Sequence, residues 1–146
     1  MNTYLISVRL TWADAFFNTH NPKSIELRKG SFGACLKPGD RIAIYATWPS
    51  AEVIGIVRFV KRESLAIDRL WRASEQGKLA RVSRQQFDTY YAQQESGVGL
   101  WVGGAELLPS PIALPKLRQS WGPRWQPPQQ IQQLTDDQMA ALNVDR

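Results

Sequence analysis

The chain has 146 residues, 43% of them hydrophobic and 21% charged, with a formal net charge of +5. That is enough for one compact domain over 1–146; no run of about 18 apolar residues offers a membrane-spanning helix, and the lone cysteine, Cys35, excludes an intrachain disulfide. The N-terminal "MNTYLISVRL" lacks the basic-then-apolar layout of a signal peptide, so a cytoplasmic protein is expected, and its excess positive charge suits a polyanionic partner.

In chain order, "TYLISVR" alternates and predicts a first strand. "TWADAFFNT" has helical spacing at Trp12, Ala15 and Phe16, with Thr11 as candidate N-cap, and Asn21-Pro22 ends it. "SIELR" alternates again. "KGSFGACLKPGD" is a loop punctuated by glycine and proline. "RIAIYAT" is a strand with Ile42, Ile44 and Ala46 on one face and Ala43, Tyr45 and Thr47 on the other. After a turn at Trp48-Pro49-Ser50 comes "EVIGIVRFV", the second arm of an antiparallel hairpin, in which Gly55 predicts a bend or bulge.

"SLAIDRLWRASEQG" reads as a helix with an Ile67, Leu70 and Trp71 stripe and Gly77 as its cap. "SRQQFDTYYAQQ" opens with a capping box, Ser83 and Gln86. "GVGLWVGGAELL" is a glycine-rich strand. The proline-rich "PSPIALPKLRQSWGPRWQPPQQ" is too apolar for a free linker. It predicts an extended wrap over a core at about 3–134, with the tail from 116 to 146 closing on "DDQMAAL", a short helix. Five or six strands with short turns and a helical insertion predict an α+β fold built on a small barrel or strongly curved sheet.

Two features point to function. Residues 58–84 carry eight basic and three acidic side chains, an excess equal to that of the whole chain. This stretch is either a solvated face or a phosphate-facing surface. The segment "KSIELRKG" puts Ser24, Glu26 and Arg28 two apart on a strand, about 7 Å between neighbours, with Lys23 just before. Arg28 offers a planar fork for a phosphate or base edge, Glu26 an acceptor for an exocyclic amine, and Lys23 a point charge. The plain alternative is an ion pair that pins the strand to a helix.

These residues also carry a resemblance. Lys23, Glu26 and Arg28 stand at the spacing of the G-x-K-x-x-E-x-R segment of the ASCH domain, a branch of the PUA-like superfamily. Gly39-Asp40 matches the family's "GD", and the hairpin and the "SRQQFDTYY" helix follow in the family's order. Asn21 replaces the family glycine. The resemblance spans about residues 3 to 134 and implies a PUA-like β-barrel of mostly antiparallel strands, with an N-terminal helix and an inserted helix pair. It implies a cleft that binds RNA or a modified nucleotide. Lys23, Ser24, Glu26, Arg28, Tyr45, Thr47, Trp48, Arg81 and Arg84 are the expected contacts, the last two helped by a helix N-terminus. Trp12, Trp71 and Trp101 are expected in the core. Trp121 and Trp125, flanking Arg124, suit either single-stranded nucleic acid or a clamp on the barrel.

Enzymes of the family offer the alternative. A metal-independent ribonuclease on single-stranded RNA would draw on Lys23, Glu26 and Tyr45. An N4-acetylcytidine-type amidohydrolase resembles the chain at Lys23. The similar enzymes, however, have a threonine where Glu26 stands, Ser24 is displaced by two residues, and Glu75 is the only insertion carboxylate to nominate. His20 is the sole histidine, and no Cys/His cluster has metal spacing. No cofactor is expected. A regulatory module that binds a protein or metabolite is the third class.

Overall fold

The computed structural model describes residues 1–142. Its elements run β1 (Thr3–Val8), α1 (Leu10–Ala15), β2 (Ile25–Arg28), β3 (Arg41–Ala46), β4 (Glu52–Ala66), α2 (Ile67–Ala73), α3 (Arg84–Tyr90), β5 (Ser96–Ala113), α4 (Leu114–Trp121), β6 (Ile131–Gln133) and α5 (Asp136–Ala140). The strands form one six-stranded sheet in the order β2-β5-β4-β3-β1-β6. All pairings are antiparallel except β1 with β3. This is an α+β fold, with the helix pair inserted between β4 and β5. No helix among the described residues is long and apolar enough to cross a membrane.

The sheet is curled by its two longest strands, β4 and β5. Their ladder shifts register between Val53 and Gly55, Ile56 and Arg58, and Phe59 and Lys61. Each shift adds twist and lets the strands bend. Gly55 has the predicted role: a Cβ there would run into the Phe17 ring and the Glu106 carbonyl. Alternation sorts the side chains into two layers. Ile6, Ile42, Ile44, Val57 and Leu100 fill the concave side. Leu5, Ala43, Tyr45, Val53 and Ile56 face outward, where Leu117, Leu134, Met139 and Leu142 of the C-terminal segment cover them. A third cluster, Leu70, Phe87 and Tyr91, holds the inserted helices together.

Several boundaries differ from expectation. β4 runs on to Ala66, because Ser64, Leu65 and Ala66 pair with Val98, Gly97 and Ser96; the tertiary ladder overrides the local helical pattern. α2 ends at Ala73, ahead of Gly77, which sits at φ +81° in the following turn. Thr11 lies inside α1, whose N-cap is Arg9. The proline-rich segment is not wholly extended: it contains α4, with Pro115 in the first turn where its missing N–H costs nothing. β6, unforeseen, pairs with β1. The capping box of α3 is present with both of its hydrogen bonds, and Thr135 and Gln138 form another on α5.

The "GD" is structural. Asp40 is buried, and its carboxylate accepts 2.9 Å hydrogen bonds from the Asn2 and Lys37 amides. It joins the N-terminus to the loop that precedes β3. Hydrogen bonds to a buried charge are worth about 1.5–3 kcal/mol each, and orphaned donors cost more. Asp40→Ala is therefore expected to lower unfolding free energy by roughly 2–3 kcal/mol in a urea titration, with Asp40→Asn intermediate.

Candidate functional site

The motif strand enters the sheet irregularly. The amides of Ser24 and Ile25 both donate to the Leu79 carbonyl, at 2.9 and 3.2 Å. Regular pairing with β5 starts only at Ile25. Glu26 and Arg28 then face a cleft of about 630 Å³ bounded by the ends of β1 and β3, by α1 and by α3. Trp12, Leu27, Ala80, Val82, Phe87 and Tyr90 give its walls an apolar and aromatic character. Ser7, Arg9, Thr47, Gln85, Gln86 and Thr89 add polar groups. Among the lining residues three are cations, Arg9, Lys23 and Arg28, against the single carboxylate of Glu26.

The floor is a buried ionic chain. The Lys23 ammonium donates to Glu26 Oε1 at 2.7 Å, and Arg28 Nε donates to Glu26 Oε2 at 2.7 Å. Arg28 Nη2 continues to the Ser7 carbonyl at 2.6 Å. That carbonyl is open to it because the β6 ladder ends at Ile6. Aromatic faces complete the setting: Lys23 Nζ lies 4.8 Å from the Phe16 ring centre, and the Arg28 guanidinium 4.3 Å from that of Phe32. Such contacts are attractive for a cation. Lys23 and Glu26 are each only 5% exposed. The Tyr91 hydroxyl donates to the Arg28 carbonyl at 2.9 Å, fixing α3 to the strand.

Burial alone would raise the Glu26 carboxyl. The charges of Lys23 and Arg28, with their hydrogen bonds, outweigh it and hold the group below the ordinary carboxylate range. Burial pushes the Lys23 ammonium down, against the pull of Glu26. Burial also raises the phenols of Tyr90 and Tyr91.

Of the residues expected at the site, the structure brings Lys23, Glu26, Arg28 and Thr47 to the cleft. Tyr45 is a correction. It is 3% exposed on the convex face, edge-on to Trp125 with ring centres 6.2 Å apart. Its alternation was read correctly, but the face it shares with Ala43 is covered by the C-terminal segment rather than by the inserted helices. Thr47 has the same parity yet escapes it, because β3 ends at Ala46. Ser24 precedes the regular strand and lines a separate hollow of about 220 Å³ with Phe16 and Phe17.

The basic stretch, open to either a solvated or a phosphate-facing reading, stays out of the cleft: none of the eight cations of residues 58–84, the expected contacts Arg81 and Arg84 included, is among the lining residues. Arg84 pairs with Asp88 at 3.1 Å and lies over Trp71. The N-terminus of α3 is occupied by its own capping box. The Arg81 carbonyl accepts from the Trp12 indole, while its buried Nε and Nη2 have no hydrogen-bond partner. Arg62 donates to the Phe32 and Gly30 carbonyls, a structural tie. Glu75 is exposed, at φ +54° in the turn after α2, and does not line the cleft.

Trp48 stands 85% exposed beside the cleft-lining Thr47. Trp121 and Trp125 form the clamp: their rings meet edge-on at 4.8 Å, and their indoles donate to Gln138 and Gln132. Arg9, Trp12 and Tyr90 are cleft residues that the sequence reading did not nominate. Arg9, directly after β1, had no pattern to mark it. Trp12 fitted an apolar stripe and does pack on the core, but it also lines the cleft. The adjacent pair Tyr90-Tyr91 was the available signal: on a helix one faces inward and the other outward.

No protein-family model matches the chain, and no curated protein matches it. Solved structures do. The crystal structure of ASCH from Zymomonas mobilis is similar at a TM-score of 0.87 and 25% identity, over 97% of this chain and 94% of that one. A Ser-to-Ala variant of the same protein is similar at 0.83 and 26% identity, over 97% and 94%. The N-terminal domain of Staphylothermus marinus McrB shares the fold at 0.61 and 9% identity, over 97% and 92%.

Removing Glu26 leaves two buried cations facing each other, whereas removing Lys23 leaves the Glu26–Arg28 pair intact. Breaking a buried pair in this way costs about 3–5 kcal/mol. Glu26→Gln is therefore expected to lose roughly 3 kcal/mol in urea at pH 7, and Lys23→Met clearly less. The lowered carboxyl sets the pH dependence. Its contribution is fully present above the unfolded value of about 4.3 and is lost as pH falls through the lower folded value. The stability gap between wild type and Glu26→Gln should narrow in acid.

Proposed function

We propose, from the premise that the chain belongs to the ASCH domain family of PUA-like folds, that it binds single-stranded RNA and holds one nucleotide in the cleft. The observation that carries this reading is the buried, net-positive floor beneath aromatic walls. A volume of about 630 Å³ lies within the usual range of ligand sites. Trp12 and Tyr90 suit the flat faces of a base, and stacking of that kind tolerates any sequence.

The floor also narrows the chemistry. Both Glu26 oxygens already accept from cations. The remaining hydrogen-bonding capacity of Lys23 and Arg28 is donor-only. An acceptor, either a base carbonyl or a phosphate oxygen, is favoured over an exocyclic amine. Glu26 acts here as a positioning residue for the two cations. The same geometry ranks hydrolysis second. A carboxylate held below its ordinary range between two cations is a weak general base, and Tyr45 lies on the other face of the sheet.

The test is purified protein with end-labelled single-stranded RNA, without added metal, run on native and denaturing gels. A shifted, intact band is expected. It should be lost in Arg28→Ala, and affinity should fall roughly twentyfold between 50 and 200 mM salt if three cations meet phosphate. Shortened RNA that disappears in Lys23→Ala would establish a ribonuclease instead. RNA neither shifted nor cut would overturn the reading.

A further inference from the structure

Five of the six tryptophans are partly buried, whereas Trp48 is 85% exposed. Its place in the fold is specific. β1 and β3 run parallel, with Val8 opposite Ala46, so both strands deliver their C-terminal ends to one side of the barrel. Arg9 and Thr47, the next residues, both line the cleft, and the Thr47 amide donates to the Val8 carbonyl at 2.9 Å. Trp48 follows directly. Arg9 and Trp48, an exposed guanidinium and an exposed indole, thus follow two adjacent strand ends on this side. A cation beside an aromatic face is the combination that tracks a single strand, the cation meeting phosphate and the ring a base.

We propose that Trp48 is a second nucleotide-binding position. The nucleotide adjoining the one in the cleft stacks on the Trp48 indole, and the phosphate between them passes Arg9. This rests on the cleft reading and extends it: the ligand is a strand of at least two nucleotides, not a free nucleotide. Charge complementarity at the mouth and continuity with the cleft select this occupant over an apolar protein segment.

The experiment uses fluorescence polarisation with a labelled uridylate pentamer, and uridine 5′-monophosphate as competitor for the cleft. Trp48→Ala should weaken pentamer binding roughly five- to a hundredfold, leave the monophosphate's inhibition constant unchanged, and keep the wild-type urea midpoint. Trp48→Phe should retain most of the pentamer affinity. Unchanged pentamer affinity in Trp48→Ala overturns the proposal. So does an equal loss for pentamer and monophosphate, because the residue would then act on the cleft. Arg28→Ala separates the two levels. If it spares both probes, the cleft reading itself fails, whatever Trp48 does; if the wild type binds neither probe, both fail together.

Discussion

The bond from Arg28 to the Ser7 carbonyl holds together two parts of the chain that no ladder joins. β2 lies at one edge of the sheet and β1 near the other. The irregular β4–β5 ladder curls the sheet until these strands approach, and the gap is spanned by a side chain. A guanidinium can do this only if it is oriented and its charge compensated, and Glu26 does both. Glu26 in turn needs a second cation to offset the cost of burying a carboxylate, and Lys23 supplies it. The motif is therefore first a closure of the barrel. Closure leaves over one uncompensated positive charge at the base of the cleft, and the proposed ligand reading starts from it.

This dual role explains why the two readings of "KSIELRKG" could not be separated from spacing alone. An ion pair that pins a strand and a cationic site for a ligand call for the same residues at the same intervals. The difference lies in what stands opposite the strand, and that is a matter of topology.

The elements themselves were largely legible. Alternation in "RIAIYA" sorted Ile42 and Ile44 from Ala43 and Tyr45 correctly, and the Ser83–Gln86 capping box is formed as read. What alternation cannot supply is the identity of each layer. Both faces of β3 are buried, one by the barrel interior and one by the C-terminal segment, so Tyr45 went to the wrong neighbour. The direction of the basic stretch was not legible for a related reason. Composition counts charges but carries no direction, and Arg62, Arg69 and Arg84, on β4, α2 and α3, do not line the cleft. Local pattern also missed the extension of β4 through Ala66, where pairing with β5 outweighs the helical spacing that follows.

The hydroxyl bond from Tyr91 to the Arg28 carbonyl has a consequence for how a ligand would enter. It ties the wall made by α3 to the strand that forms the floor, while the Leu79 carbonyl ties the preceding turn to Ser24 and Ile25. Wall and floor are therefore hydrogen-bonded to each other directly. Association at such a site calls for little ordering of the protein, so its entropic cost falls on the strand that binds. Discrimination among ligands would then rest on the shape of the opening.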